Sequence, residues 1–314
     1  MNRLLLTWQH GDTLFKAILG VATILVVALL VAIGYELWRN SALSRQAFGF
    51  SFIFSSTWDP AISKSFGALP FILGTVETSL VALIIAIPIS IGAAIFLSEL
   101  SPGFLRQPLS LLIELLAAVP SVVYGLWGLF AFIPAAAKPL GVSLENTLGF
   151  LPIFAGPVFG PSRLAAGLIL AIMILPTITA ISRDVFQAIP NTQREASLAL
   201  GSTQWEMIWQ VLIPYGLSGL LGAIILGLGR ALGETIAVTM VIGNNPDLSA
   251  SLLHPGYTMA SLIANEFTEA TYDLYLNALI EIGLILFVLT LVLNLIARLL
   301  IWRMGRKMKT EVRA

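Results

Sequence analysis

The chain has no cysteine in its 314 residues, only two histidines, and 11% charged residues. Lack of cysteine excludes disulfides, thiolate metal sites and thiol nucleophiles together. His10 and His254 lie far apart with no ligand-spaced partners, which argues against a metal centre. Soluble domains carry about 25% charged residues. Here 57% of residues are hydrophobic and the mean hydropathy is +0.91, which excludes a water-soluble globule. Lys+Arg and Asp+Glu are 17 each, so no global field points to nucleic acid. Also missing are a G-x-x-x-x-G-K-[ST] phosphate loop, any Gly-Lys pair and a G-x-S-x-G elbow. The chain therefore cannot bind ATP in the Walker manner and reads as non-catalytic, with no cofactor of its own.

What is present is a series of long apolar runs. Crossing ~30 Å of hydrocarbon takes about 20 residues at ~1.5 Å each. Charge is absent from 17–35, 78–98, 115–137 and 164–182. A fifth run starts at Tyr215 and continues past two charges to Gly243, and a sixth, Leu274–Ala297, is broken only by Glu281. The pattern predicts an all-α polytopic membrane protein: one domain over 1–314 with six transmembrane helices near 14–37, 70–98, 109–137, 164–187, 215–243 and 274–300. The first run is longer than a signal-peptide core and no small-residue cleavage site follows it, so it is expected to stay in the mature protein. Tyr35 and Trp38 at its end suit an interfacial belt.

Lys and Arg counts give the orientation. With the N-terminus inside, eleven lie on the inner side, including Arg298, Arg303, Arg306, Lys307, Lys309 and Arg313. Five lie outside (Arg39, Arg45, Lys64, Lys138, Arg163), and Arg230 completes the seventeen. Both termini are therefore expected in the cytoplasm, with outer loops at Trp38–Leu69, Lys138–Arg163 and Asn244–Asp273.

The inner segment 188–214 is too structured for a linker. Asn191 or Thr192 after Pro190 offers an N-cap, Glu195 suits the first half of a helix, and Gly201 is a natural stop. A second amphipathic stretch, with Trp205, Ile208, Trp209 and Leu212, leads to Pro214. A short helix held between two membrane helices suits docking to a cytoplasmic partner; a mere interfacial tether is the alternative. Glu195-Ala196-Ser197, three residues, Gly201, nine residues and Val211-Leu212-Ile213-Pro214 resemble the E-A-A/G/I-x-L-P pattern of ABC importer permeases. Ser197, Val211 and Ile213 are conservative departures. The resemblance implies a permease of the type I importer kind, in which Glu195, Ala196, Gly201 and Pro214 belong to a coupling helix seated on an ATPase.

Two charges interrupt the fifth run. Arg230 stands about fifteen residues into it and Glu234 follows at i+4, on the same face of a continuous helix. An ionic group at a membrane helix centre costs ~2.5–3.5 kcal/mol even on lenient scales and normally faces protein or a water-filled path. The pair is either a static lock, helped by a Gly229/Gly233 small-residue contact, or an anion site whose planar guanidinium fork is held by Glu234 when empty.

Gly229-Arg230-Ala231-Leu232-Gly233-Glu234-Thr235 resembles the signature of phosphate-specific ABC permeases. Pro120-Ser121-Val122-Val123-Tyr124-Gly125-Leu126-Trp127-Gly128 and Ser55-Ser56-Thr57-Trp58-Asp59-Pro60 resemble the same family. That likeness implies an inner-membrane phosphate importer in which Arg230 and Glu234 line the substrate path. The implied partners are a PstA-like second permease, a PstB-like ATPase dimer and a PstS-like periplasmic phosphate-binding protein. Another oxyanion such as sulfate or molybdate is the nearest alternative; an ion-driven carrier would need no docking helix.

Overall fold

A computed structural model describes residues 2–311, with side chains from 12 to 299. Arg3 and the tail residues Arg303–Arg313, which weigh heavily in the expected orientation, lie outside the side chains described. The first helix, α1 (Asn2–Asn40), is a single long rod. Two short helices, α2 (Ala42–Phe48) and α3 (Ser51–Phe54), precede α4 (Leu69–Ile95), which a wider π turn extends over Phe96–Leu100. Next come α5 (Gly103–Ala118), α6 (Ser121–Trp127), a π segment over Gly128–Ala137 and α7 (Lys138–Leu148). The chain continues through α8 (Arg163–Gln187), α9 (Asn191–Ala199) and α10 (Gln204–Met207). A π turn at Ile208–Leu212 then leads into α11 (Ile213–Gly233), followed by α12 (Ile236–Val241), α13 (Met259–Glu266) and α14 (Asp273–Glu311).

Among the described residues, six helical runs are long and apolar enough to cross a membrane. Two are shifted by about ten residues from the bounds read off the hydropathy. The third run is Ser121–Leu148 rather than 109–137, because Val119 precedes Pro120 and is held extended at ψ 128°, which separates α5 from α6. The fifth is Gln204–Gly233 rather than 215–243. It starts at a capping box in which Thr203 Oγ1 accepts from Glu206 N while Glu206 Oε2 accepts from Thr203 N. Pro214 lies inside this run, where it has no N–H for the ladder. The preceding π turn accommodates the missing bond.

The bundle is organised on α8, whose apolar residues face inward nearly all round; Ile169, Ile174 and Ile178 are fully buried. It runs parallel to α4, with Arg163 against Glu77 at one end, Leu175 against Ser90 midway and Arg194, just beyond α8, against Glu99 at the other. Gly167 permits the close approach: a Cβ there would meet Val81 Cγ1 at 2.6 Å. At the Arg163 end an aromatic cluster joins the early loop to α14, with Trp58 edge-on to Phe66 (4.9 Å) and to Phe71 (5.0 Å). A smaller apolar cluster of Phe186, Ile189, Met207, Ile208, Leu212 and Leu220 closes the Arg194 end.

Candidate functional site

The expected ion pair between Arg230 and Glu234 does not form. The helix that would have set them one above the other stops at Gly233, leaving Arg230 in its last turn and Glu234 extended at φ −69°, ψ 126°. Glu234 Oε1 accepts from Ala237 N at 3.4 Å, at the start of α12. Arg230 Nη1 instead donates to Thr177 Oγ1 on α8 at 3.0 Å. Among the described residues no carboxylate lies within ion-pairing distance of Arg230. Arg230 belongs to the last turn of α11, the favourable end of the helix dipole for a cation.

Gly229 and Gly233 do not make the expected helix contact. A Cβ at either would meet nothing within 4 Å, whereas at Gly219 and Gly227 it would meet Val185 and Ile178 of α8 at 2.5 and 2.7 Å. The glycines that seat α11 on α8 are thus earlier in the helix, and the Arg230 turn is left open. Non-helical backbone at membrane depth persists where it is covered by protein or lines a hydrated cavity. Both Arg230 and Glu234 are half-buried, at the rim of such a break.

The segment 188–214 holds the coupling candidates. α9 begins at Asn191 with Pro190 in the cap position and no capping side chain, so neither Asn191 nor Thr192 serves as the expected N-cap. Gly201 takes φ +87°, a left-handed conformation that glycine adopts without penalty. Glu195, Ala196 and Gly201 are exposed, as are Leu200, Trp205 and Trp209. A polar crevice of about 610 Å³ between α9 and the start of the fifth run is lined by Ala196, Ser197, Gly201 and Glu206 among others. Pro214 is exposed beyond the crevice, on the first turn of α11.

None of the four ion pairs among the described residues was foreseen, and two of them tie the bundle together. Arg163, read as a loop residue, is buried: Nη1 donates to Glu77 Oε2 at 2.6 Å and Nη2 to the carbonyls of Ser249 and Ser251, both at 2.6 Å. With Leu164 N donating to Leu252 O (2.8 Å), it binds the 244–258 segment across α4 and α8. One signal was available, since an arginine opening a helix opposes the dipole and needs another reason to be there. Arg194, next to Glu195, is paired with Glu99 at 2.8 Å.

Comparison with known proteins then decides the family. Residues 86–306 match the family described as "Binding-protein-dependent transport system inner membrane component". The chain belongs to this family. The permease is 46% identical to the phosphate transport system permease protein PstC of Mesorhizobium japonicum, over 94% of this chain and 91% of the relative. It is 49% identical to the PstC of Pasteurella multocida, over 94% and 93%. Among solved structures it resembles a bacterial alginate ABC transporter in complex with its alginate-bound periplasmic protein (TM-score 0.60, 14% identity, 91% of this chain and 94% of that chain). An inward-facing MetNI methionine ABC transporter matches with TM-score 0.54 at 16% identity, over 74% and 93%. These likenesses show the fold of type I ABC importer permeases, and the permease is a multi-pass inner-membrane protein.

Proposed function

We propose that this permease carries inorganic phosphate into the cytoplasm as one membrane subunit of an ABC importer. The supporting likeness is the 44–49% identity to relatives named PstC over nearly the whole chain. The observation that carries a mechanism is Arg230: a guanidinium at a helix break, bonded to one neutral hydroxyl and to no carboxylate. A half-buried cation in that state is short of negative charge, and an oxyanion offers it two acceptors matched to its fork. Glu234, the first residue beyond α11, stands at the same break as a competitor that speeds release. Thr177 holds the guanidinium when no anion is present.

Glu195, Ala196, Gly201 and Pro214 belong to the segment that seats on a PstB-like ATPase dimer, which supplies hydrolysis; the chain itself performs no catalysis and carries no cofactor. A PstA-like second permease completes the path and a PstS-like periplasmic protein delivers phosphate. Both termini lie in the cytoplasm in this reading.

The test is uptake of radiolabelled phosphate by the reconstituted complex. A charge-assisted hydrogen bond contributes about 1.5–3 kcal/mol, so Arg230→Gln should lower uptake at least about tenfold while the complex still assembles, with Arg230→Lys intermediate. Undiminished uptake by Arg230→Gln overturns the assignment. Equal competition by sulfate or molybdate would overturn phosphate as the cargo.

A further inference from the structure

Helix α9 is attached to the bundle in an unusual way. None of its residues is buried, and none belongs to the apolar cluster that joins α4, α8 and the start of the fifth run beside it. Its C-terminal turn is closed within the segment itself, by Ser202 Oγ donating to Ser197 O at 2.7 Å, and then leaves through Gly201. Among the described residues, Arg194 is the one α9 side chain that hydrogen-bonds beyond the 188–214 segment. All five of its N–H groups are engaged: Nε and Nη2 grip the two oxygens of Glu99 at 3.0 and 2.8 Å. Nη1 donates to Ile189 O at 2.7 Å and to Asn191 Oδ1 at 3.2 Å, and Nη2 also to Phe186 O at 2.7 Å. One planar group therefore joins α9 to the end of α4 and to the end of α8, the two parallel helices at the centre of the fold.

We infer that Arg194 is the positioning residue that passes movement of α9 to α4 and α8. The inference rests on α9 being the ATPase-docking helix. A bidentate guanidinium–carboxylate pair fixes direction as well as distance, which an ammonium cannot do. The pair is largely withdrawn from water, with side-chain exposures of 16% for Arg194 and 9% for Glu99, so it is little screened. It presents no free donor to a partner, which separates its role from that of the exposed Glu195 beside it. Without the grip, α9 would keep only its chain connections and its packing on α10 and the π turn at Ile208–Leu212, and a push on it would not pass directly to α4 and α8.

The experiment compares the complete complex carrying Arg194→Lys, Arg194→Gln or Glu99→Gln in liposomes, reading ATPase co-purification, ATP hydrolysis and radiolabelled phosphate uptake. Glu99 lies on a different element, the π turn that ends α4, and its side chain is largely withdrawn from water, so it decides the matter if Arg194→Gln fails to fold. The expected result is an ATPase retained at the normal ratio, continued hydrolysis, and phosphate carried per ATP reduced about tenfold, the scale of a lost link between coupled sites. Unchanged phosphate per ATP in Arg194→Lys and Glu99→Gln overturns the inference, and so does loss of the ATPase from either. Gly201→Asp serves as the separate check on docking: it should release the ATPase, and full association with full uptake would overturn the docking reading itself.

Discussion

The membrane-embedded charges of this permease differ in what surrounds them. Arg163 has three partners, one carboxylate and two carbonyls, and is almost wholly buried. Breaking a buried ion pair by removing one member typically costs about 3–5 kcal/mol. Arg163→Met should therefore lower the thermal midpoint of the purified permease markedly, and by more than Glu77→Gln, which leaves both carbonyl bonds in place. Equal midpoints for the two variants would contradict the arrangement. Asp59 lies outside the spans and half-buried, and its carboxylate accepts from the backbone of Ile62, Ser63 and Ala61. These bonds pull its pKa from 3.8 to about 2. A depressed carboxylate stabilises the fold above its unfolded pKa and loses that effect as pH falls through the folded one. The Asp59 turn should thus be at full strength at neutral pH and fail between pH 3.8 and about 2. Asp59→Asn should be less stable than the parent at pH 7, with the gap closing on acidification in the same unfolding assay.

At the scale of elements, the decisive contact is α11 against α8. Gly219 and Gly227 lie where a Cβ would strike Val185 and Ile178, both branched and held in a packed helix. Forcing extra carbon into such a contact costs about 1–3 kcal/mol. Gly227→Leu should lower the thermal midpoint and the yield of folded protein. Gly229→Ala, with open space around its Cβ, should leave the midpoint unchanged or raise it, because alanine favours a helix over glycine by about 1 kcal/mol. If Gly229→Ala proves the more damaging to the isolated chain, the α8–α11 seat has been misplaced. The break after Gly233 belongs to this scale too. Continuous apolar character through Gly243 conceals it, because hydropathy reports burial in lipid and not the continuity of a hydrogen-bond ladder.

For the molecule as a whole, α1 has no buried side chain among those described, and α5 has none. Both have apolar faces that other surfaces must cover, lipid or a second permease. A partner that binds only the folded chain stabilises it by about 2.7 kcal/mol at a hundredfold excess over Kd. Co-purification with the second permease should accordingly raise the thermal midpoint by several degrees over the isolated chain in the same detergent, and identical midpoints would speak against partnership. Much at this scale was legible without coordinates. Six spans, the short helix near 191–199 and the glycine turn at Gly201 follow from local composition and backbone preference. The candidate site was legible only in part: Arg230 and Glu234 stand out as charges in an apolar run, but their spacing suggested a pair that the end of α11 prevents.

Length and hydropathy determine that the chain spans a membrane six times, because each span is a local property of about 20 residues facing a uniform solvent. The short helix between the fourth and fifth spans was legible for the same reason, since caps and turns act over a few residues. Tertiary structure alone decided the partners of the charges: Arg163 with Glu77, 86 residues away, Arg194 with Glu99, 95 away, and Arg230 with Thr177, 53 away. No local pattern encodes such distances. They arise because α4 and α11 both pack on α8, and a charge taken out of water must find whichever counterpart that packing brings within reach.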